Sequence, residues 1–253
     1  MFRGIFSVVL VFLLSTVLVS AAPNPIAYFT FDELSNVIED ASGNGHDGTP
    51  KGDIKLSNDA KVGKSFEFNG LNAYVDIERI VQDDFTLMTW MKTSTKGAEL
   101  GAQGYQGSGI IWSDVAGATN DFILAILGMK LSFFCGNPDL SVNSVQDVVT
   151  GEWIHVAGVR SQTDQKIGIY INGKHEKTMD HANKVALDAQ PRIHIGGNTL
   201  DTRYYTGLLD EVKLFDTALT EEEIQGALAT APVEAMGKLS TKWGALKATY
   251  SIQ

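Results

Sequence analysis

The sequence predicts an all-β fold, a two-sheet antiparallel jelly-roll sandwich. Three observations carry this. About a dozen short runs of β-branched, aromatic and aliphatic residues recur along the chain, turn residues separate them, and a single stretch has the start chemistry of a helix. That strand count exceeds an immunoglobulin-type sandwich, and a jelly roll accommodates it.

Residues 26–31 form the first expected strand. Residues 65–68 and 74–77 flank Asn69-Gly70, a pair read as a hairpin turn. Residues 85–92 are apolar on both faces, which predicts a central strand. Residues 110–112, 122–127 and 131–135 follow, the last two joined at Gly128. Residues 152–160 and 166–171 lead to Asn172-Gly173, the clearest hairpin in the chain, and on into 174–179. Residues 192–195 and 207–215 complete the set. Thr220 with Glu223 three positions later is a capping box and predicts the one helix.

The domain organisation is read as a signal peptide over 1–21, one domain over 22–228 and a tail over 229–253. Arg3 precedes an apolar run over 5–19, and Val19-Ser20-Ala21 fits a small-residue cleavage site. The run is short for a bilayer span, so no stable membrane span is expected after cleavage. The expected location is extracellular or periplasmic. The lone Cys135 precludes an intrachain disulfide. A formal net charge of -10 argues against nucleic acid and anionic membranes as partners. It leaves cations, neutral glycans and extracellular proteins.

Two segments fall outside the strand pattern. Gly97, Gly101, Gly104, Gly107 and Gly109 surround Tyr105 in what reads as a long flexible loop over 93–109. The tail combines Lys238, Lys242 and Lys247 with Leu239, Trp243 and Leu246, which suits a short amphipathic helix or a loosely held terminus.

The chemistry centres on acids. Strict alternation places Asp210 on one face of its strand with Leu208, Val212 and Leu214. A buried, unpaired carboxylate costs several kcal/mol, so Asp210 needs a cation or several donors. The run from Asp40 to His46 presents side-chain oxygens at every second position and then a glycine, one way to wrap a loop around calcium. Lys51 stands where an EF-hand would require a bidentate Glu, so this is no EF-hand. Asp32 and Asp210 are the expected donors of the missing charge. The expectation is therefore one structural calcium held by Asp32, Asp40, Asn44 and Asp210, with an Asx-type turn at Asp40 as the alternative.

Ordered motifs carry a resemblance. They include Phe31-Asp32-Glu33, the Asp-Ala-Ser-Gly-Asn-Gly-His-Asp-Gly run ending at Gly48, Phe68-Asn69-Gly70 and Trp153-Ile154-His155-Val156-Ala157. They continue with Ile169-Tyr170-Ile171-Asn172-Gly173, Ile195-Gly196-Gly197 and Gly207-Leu208-Leu209-Asp210-Glu211-Val212. The chain resembles the laminin G-like jelly-roll domains of the concanavalin A-like lectin/glucanase superfamily, of the type found in secreted bacterial proteins. The resemblance implies a jelly roll, often with one calcium near the chain ends, and binding of carbohydrate or protein without catalysis. It also matches Arg203, Tyr205 and Gly207 to a structural lead-in to the last strand.

Enzyme signatures are weak. Tyr74-Val75-Asp76-Ile77-Glu78 imitates a glucanase strand, but Tyr74 stands where the first Glu belongs. His175-Glu176 lacks its second zinc ligand, and His155 reads as structural. No catalytic residue is expected. The expected function is carbohydrate binding at a loop rim, with Tyr105 and Tyr204 as the exposed aromatic platform. An adhesion or scaffold role through protein contacts is the alternative.

Overall fold

The computed structural model describes residues 22–229, residue 118 excepted. The expected signal peptide, and the tail beyond residue 229, lie outside these residues. The strands are β1 (Ala27–Phe29), β2 (Thr49–Lys51), β3 (Lys55–Ser57), β4 (Ser65–Asn69), β5 (Tyr74–Glu78), β6 (Phe85–Lys92), β7 (Ser108–Ser113), β8 (Phe122–Leu127) and β9 (Lys130–Cys135). They continue as β10 (Leu140–Asn143), β11 (Ile154–Ser161), β12 (Lys166–Ile171), β13 (Lys174–Asp180), β14 (Arg192–Ile195), β15 (Gly197–Asn198), β16 (Arg203–Tyr204) and β17 (Thr206–Phe215), and α1 spans Glu221–Ala229.

Two sheets result. The first runs β13-β12-β11-β6-β17-β4-β3, with β1 added on β17; the second runs β10-β9-β8-β7-β14-β5-β2, with β15 and β16 beside β7. Neighbours are antiparallel except β16, which runs parallel to β7. This is the jelly-roll sandwich the sequence predicts. β6 is central, as its two apolar faces require.

The core lies between the sheets. Leu87, Met91, Val156, Ile169, Leu209 and Val212 of the first sheet meet Val75, Ile111, Leu124, Phe133, Ile193 and Ile195 of the second. Alternate residues on each strand therefore face outward. On the outer face of the first sheet Met88, Ala157, Val159 and Phe215 pack under Leu219, Ile224 and Ala227 of the α1 region. The capping box forms: Glu223 N–H donates to Thr220 Oγ1 at 3.3 Å and Thr220 N–H to Glu223 Oε2 at 2.9 Å.

Two local expectations change. Asn69-Gly70 does not close a hairpin, because β4 belongs to the first sheet and β5 to the second. The turn is a corner between sheets, where Asn69 Oδ1 accepts the N–H groups of Leu71, Asn72 and Ala73. Asn172-Gly173 does join β12 to β13, with φ of +52° and +75°, the left-handed pair that matches strand twist.

The second change concerns Asp210. β17 carries a β-bulge: its register on β6 shifts between Asp210 and Lys213, and Glu211 has φ +53°. Leu209 and Val212 both face the core, so Asp210 and Glu211 both turn outward. The face of Leu208, Asp210, Val212 and Leu214 expected from strict alternation does not exist. Two successive polar residues between Leu209 and Val212 are the sequence mark of that extra residue.

Arg160 closes one end of the sandwich. It is 1% exposed, and its Nη1 donates to the carbonyls of Gln82 (2.8 Å) and Asp83 (2.5 Å). Its Nη2 donates to those of Val185 (2.7 Å) and Asn183 (3.5 Å).

Candidate functional site

The outer face of the second sheet gathers polar and aromatic side chains. Val75, Ile77, Ile193 and Ile195 point into the core, so Tyr74, Asp76, Arg192 and His194 line the opposite face. The Tyr74 ring lies 5.0 Å from the His194 ring and 6.3 Å from that of Tyr204. Arg192 Nε donates to Asp76 Oδ1 at 2.8 Å, and His194 Nε2 lies 3.5 Å from the same oxygen. Burial pulls the His194 pKa below its usual value, although Asp76 works against this.

The glycine-rich segment covers the other half of this face. The expectation of a flexible loop gives way to close packing. A Cβ on Gly97 would come within 2.1 Å of the Ile126 carbonyl oxygen, and one on Gly104 within 2.9 Å of Phe134 Cβ. The glycines let the backbone lie flat on the sheet. Asn143 Nδ2 donates to the Ala102 carbonyl and Ser141 Oγ to Gln103 Oε1, which fastens the segment to β10.

Tyr105 sits in a short 3₁₀ turn, half-buried, with its ring edge on Phe134 at 5.2 Å. Its carbonyl accepts Arg203 Nη2, and Arg203 also pairs with Asp201. Tyr105 and Tyr204, named from sequence as the sugar platform, thus share one face with Arg203 between them. Tyr205 belongs to the core, its hydroxyl donating to the Leu208 carbonyl at 3.1 Å.

Sequence reasoning met Tyr74 and Asp76 only as an incomplete glucanase motif and passed over His194 and Arg192. Their signal is the alternation of polar and aliphatic residues in 74–78 and 192–195. It also passed over Asp114 and Asp121, a carboxyl pair at the ends of β7 and β8. Burial and the adjoining Asp114 carboxyl push the Asp121 pKa up to about 8. Asp114 is raised too, chiefly by burial.

This pair has a pH consequence. Native Asp121 keeps its proton to about pH 8, whereas the unfolded carboxyl releases it near 3.8. Unfolding therefore releases a proton between those values, and raising the pH across that window destabilises the fold. Urea titrations should show stability falling from about pH 4 to about pH 8 and this contribution levelling above it. Asp121→Asn should make the slope shallower, leaving the share that Asp210, raised to about 7, contributes. An unchanged slope in that variant would contradict the assignment.

Of the four residues expected to share calcium, Asp32, Asp40 and Asp210 accept backbone N–H groups and Asn44 donates to a backbone carbonyl. Asp40 Oδ1 accepts the N–H groups of Tyr28 and Ser42 at 2.9 Å, and Oδ2 that of His46 at 3.0 Å. Burial opposes the Asp40 charge, yet these donors hold its pKa below the usual value. Asn44 uses its Nδ2 to donate to the Ile26 carbonyl at 2.9 Å. Asp32 Oδ1 accepts Lys64 N–H at 2.7 Å, and Asp210 Oδ2 accepts those of Lys61 (2.8 Å) and Val62 (2.9 Å). Asp40 and Asn44 thus tie the 40–46 turn to the first strand, while Asp32 and Asp210 grip the 61–64 turn. Among the described residues no group of three or more His, Cys, Asp or Glu side chains is disposed to hold a metal ion. At Asp40 the contact to Ser42 N–H is that of an Asx-type turn.

A family model described as the concanavalin A-like lectin/glucanases superfamily matches residues 69–225. A search of curated proteins returned no match. Among solved structures, domain 4 of AbnA, an extracellular GH43 arabinanase from Geobacillus stearothermophilus in complex with arabinotriose, has a TM-score of 0.64 at 19% identity, over 81% of this chain and 98% of that one. The binding domain of Paraclostridial Mosquitocidal Protein 1 has 0.61 at 16% identity, over 80% of this chain and 51% of that one. The binding domain of botulinum neurotoxin DC in complex with SialylT has 0.59 at 16%, over 80% and 50%. The chain spans about half the length of the two toxin domains. At these identities the likeness is one of fold.

Proposed function

Because this chain belongs to the concanavalin A-like lectin/glucanases superfamily, we propose that it is a secreted, non-catalytic binding module for a neutral carbohydrate. The ligand lies on the outer face of the second sheet. The observation that carries this reading is the strip of Tyr74, His194 and Tyr204 beside the Arg192–Asp76 ion pair. Aromatic rings offer apolar faces to the C–H surface of a sugar, and a few fixed polar groups orient its hydroxyls. The structural neighbours solved with arabinotriose and with SialylT support a glycan as the ligand class. Secretion rests on the leader at 1–21. Among the described residues no helix is long and apolar enough to cross a membrane.

A protein partner is the second reading. Leu71, Leu100 and Leu200 are 74%, 69% and 48% exposed on the turns that lead into Tyr74, Tyr105 and Tyr204. Such a border suits protein contact as well as glycan contact. In either case the backbone donors at Asp32, Asp40 and Asp210 take the part expected of calcium, which makes the ion dispensable for folding in this account.

A glycan array probed with and without chelator tests the function. Binding independent of chelator is expected. Tyr74→Ala and Tyr204→Ala should each weaken a bound glycan about tenfold, roughly 1.4 kcal/mol. An array with no glycan bound under either condition removes the carbohydrate reading and leaves the protein one.

A further inference from the structure

Three buried N–H donors on or beside β7, β15 and β16 have no acceptor among the described residues: Trp112 Nε1, Asn198 Nδ2 and Arg203 Nε. Trp112 is 1% exposed and Asn198 0%. Buried donors without partners are rare in folded chains and call for an explanation. Asn198 and Arg203 face each other across the β15–β16 ladder, and Asn198 Oδ1 already accepts Leu200 N–H at 2.9 Å. That leaves its Nδ2 over. Trp112 lies opposite His194, whose Nδ1 meets Thr199 Oγ1 at 3.2 Å. The Trp112 ring also packs on Gly109, where a Cβ would be 2.7 Å from the ring and 3.4 Å from Asn198 N. Trp112 and Asn198 thus both border Gly109, and Asn198 and Arg203 are paired at the base of the 199–202 turn.

Asn198 Oδ1 holds that turn from within by accepting the N–H groups of Leu200 (2.9 Å) and Asp201 (3.3 Å), and Arg203 ties it to the glycine-rich segment. Arg203 Nη2 reaches both the Tyr105 carbonyl and the Asp201 carboxylate. Thr202 has φ +57°, a left-handed conformation that a β-branched residue adopts only under constraint. Opening would relieve it.

We propose that the 199–203 turn is a latched flap over a sugar subsite. When Arg203 lets go, Trp112 Nε1 and Asn198 Nδ2 become available to the oxygens of a sugar residue, with Asp201 and Asp114 as acceptors for its hydroxyl protons. The inference rests on the carbohydrate reading of this face. Hydroxyls both donate and accept, which suits this mixture. The two carboxylates disfavour a ligand that carries its own negative charge.

The test uses the indole N–H signal of Trp112 in NMR spectra of the whole chain, assigned by its loss in Trp112→Phe. In the unaltered protein this proton should exchange slowly with deuterium. Arg203→Leu should speed that exchange at least tenfold while other core amides keep their protection, and Asp201→Asn should do so to a smaller extent. If Arg203→Leu fails to fold, Asp201→Asn carries the test alone. Exchange unchanged in the folded latch variants overturns the flap. Arabinotriose should shift the Trp112 signal, and sialyllactose should not. If arabinotriose shifts Tyr74 and Tyr204 but leaves Trp112 unmoved, the subsite is wrong and the carbohydrate reading stands. If the exchange quickens but no signal on this face responds to arabinotriose, both the subsite and the carbohydrate reading fail.

Discussion

Arg160→Ala is expected to lower the unfolding free energy by about 3–5 kcal/mol, the largest loss of any single substitution considered. The guanidinium is buried at one end of the sandwich, where burial lowers its pKa. It donates to four carbonyls, those of Gln82, Asp83, Asn183 and Val185. Truncation strands the carbonyls of Asp83, Asn183 and Val185, while that of Gln82 keeps the Leu187 N–H, and opens a space as large as the side chain. The two loops it joins, before β6 and after β13, keep a backbone tie from Leu187 N–H to the Gln82 carbonyl at 2.8 Å but lose the side-chain bridge. Arg160→Lys keeps a charge but cannot span both loops with a planar fork, so it should recover less than half of the loss. Urea unfolding measures both. A loss below about 1 kcal/mol in Arg160→Ala would mean that water or neighbouring donors serve those carbonyls equally well.

Asp210→Ala should destabilise the fold by about 2–4 kcal/mol, with a smaller loss for Asp210→Asn. Alanine leaves the N–H groups of Lys61 and Val62 without an acceptor, whereas asparagine returns one acceptor oxygen. Burial raises the Asp210 pKa to about 7, against the pull of the two backbone donors. Its second oxygen, Oδ1, meets no well-aligned hydrogen-bond partner among the described residues. The 61–64 turn, gripped from its other side by Asp32, should lose protection from hydrogen exchange in Asp210→Ala before the rest of the first sheet. Melting temperatures of the unaltered protein should agree in calcium and in chelator. A rise with calcium that Asp210→Asn abolishes would restore the ion to this strand.

The strands were legible because period-two patterns and turn pairs report local geometry. β6 read as central from its two apolar faces, and Asn172-Gly173 fixed a hairpin because both residues tolerate positive φ. Asn69-Gly70 misled for the same reason. A turn pair specifies a reversal of the chain but not whether the next strand stays in the same sheet. Asp210 misled more deeply. A β-bulge adds one residue and inverts the phase, so every side-chain direction before Val212 was read from the wrong face. The face assigned to this acid followed from that phase. The acids at Asp32, Asp40 and Asp210 are acceptors for backbone N–H groups, a role that spacing alone does not distinguish from metal ligation.

The candidate face was half legible. Tyr105 and Tyr204 stood out as aromatics in loops, and the Tyr105 carbonyl accepts Arg203, the neighbour of Tyr204. Tyr74 and His194 were hidden in strands, because their outward direction depends on which face each sheet turns to the core. Asp114 and Asp121 are seven positions apart and meet only because β7 and β8 pair. The glycine-rich segment looked mobile from composition. Its glycines instead permit contact with the sheet, which local sequence does not report.

Chemical-shift mapping with a glycan taken from the array tests the central claim most directly. The account predicts perturbations confined to 74–78, 105, 112 and 192–204, all on the outer face of the second sheet. Perturbations centred on the 40–46 turn or on α1 would contradict it and move the binding site to the opposite sheet.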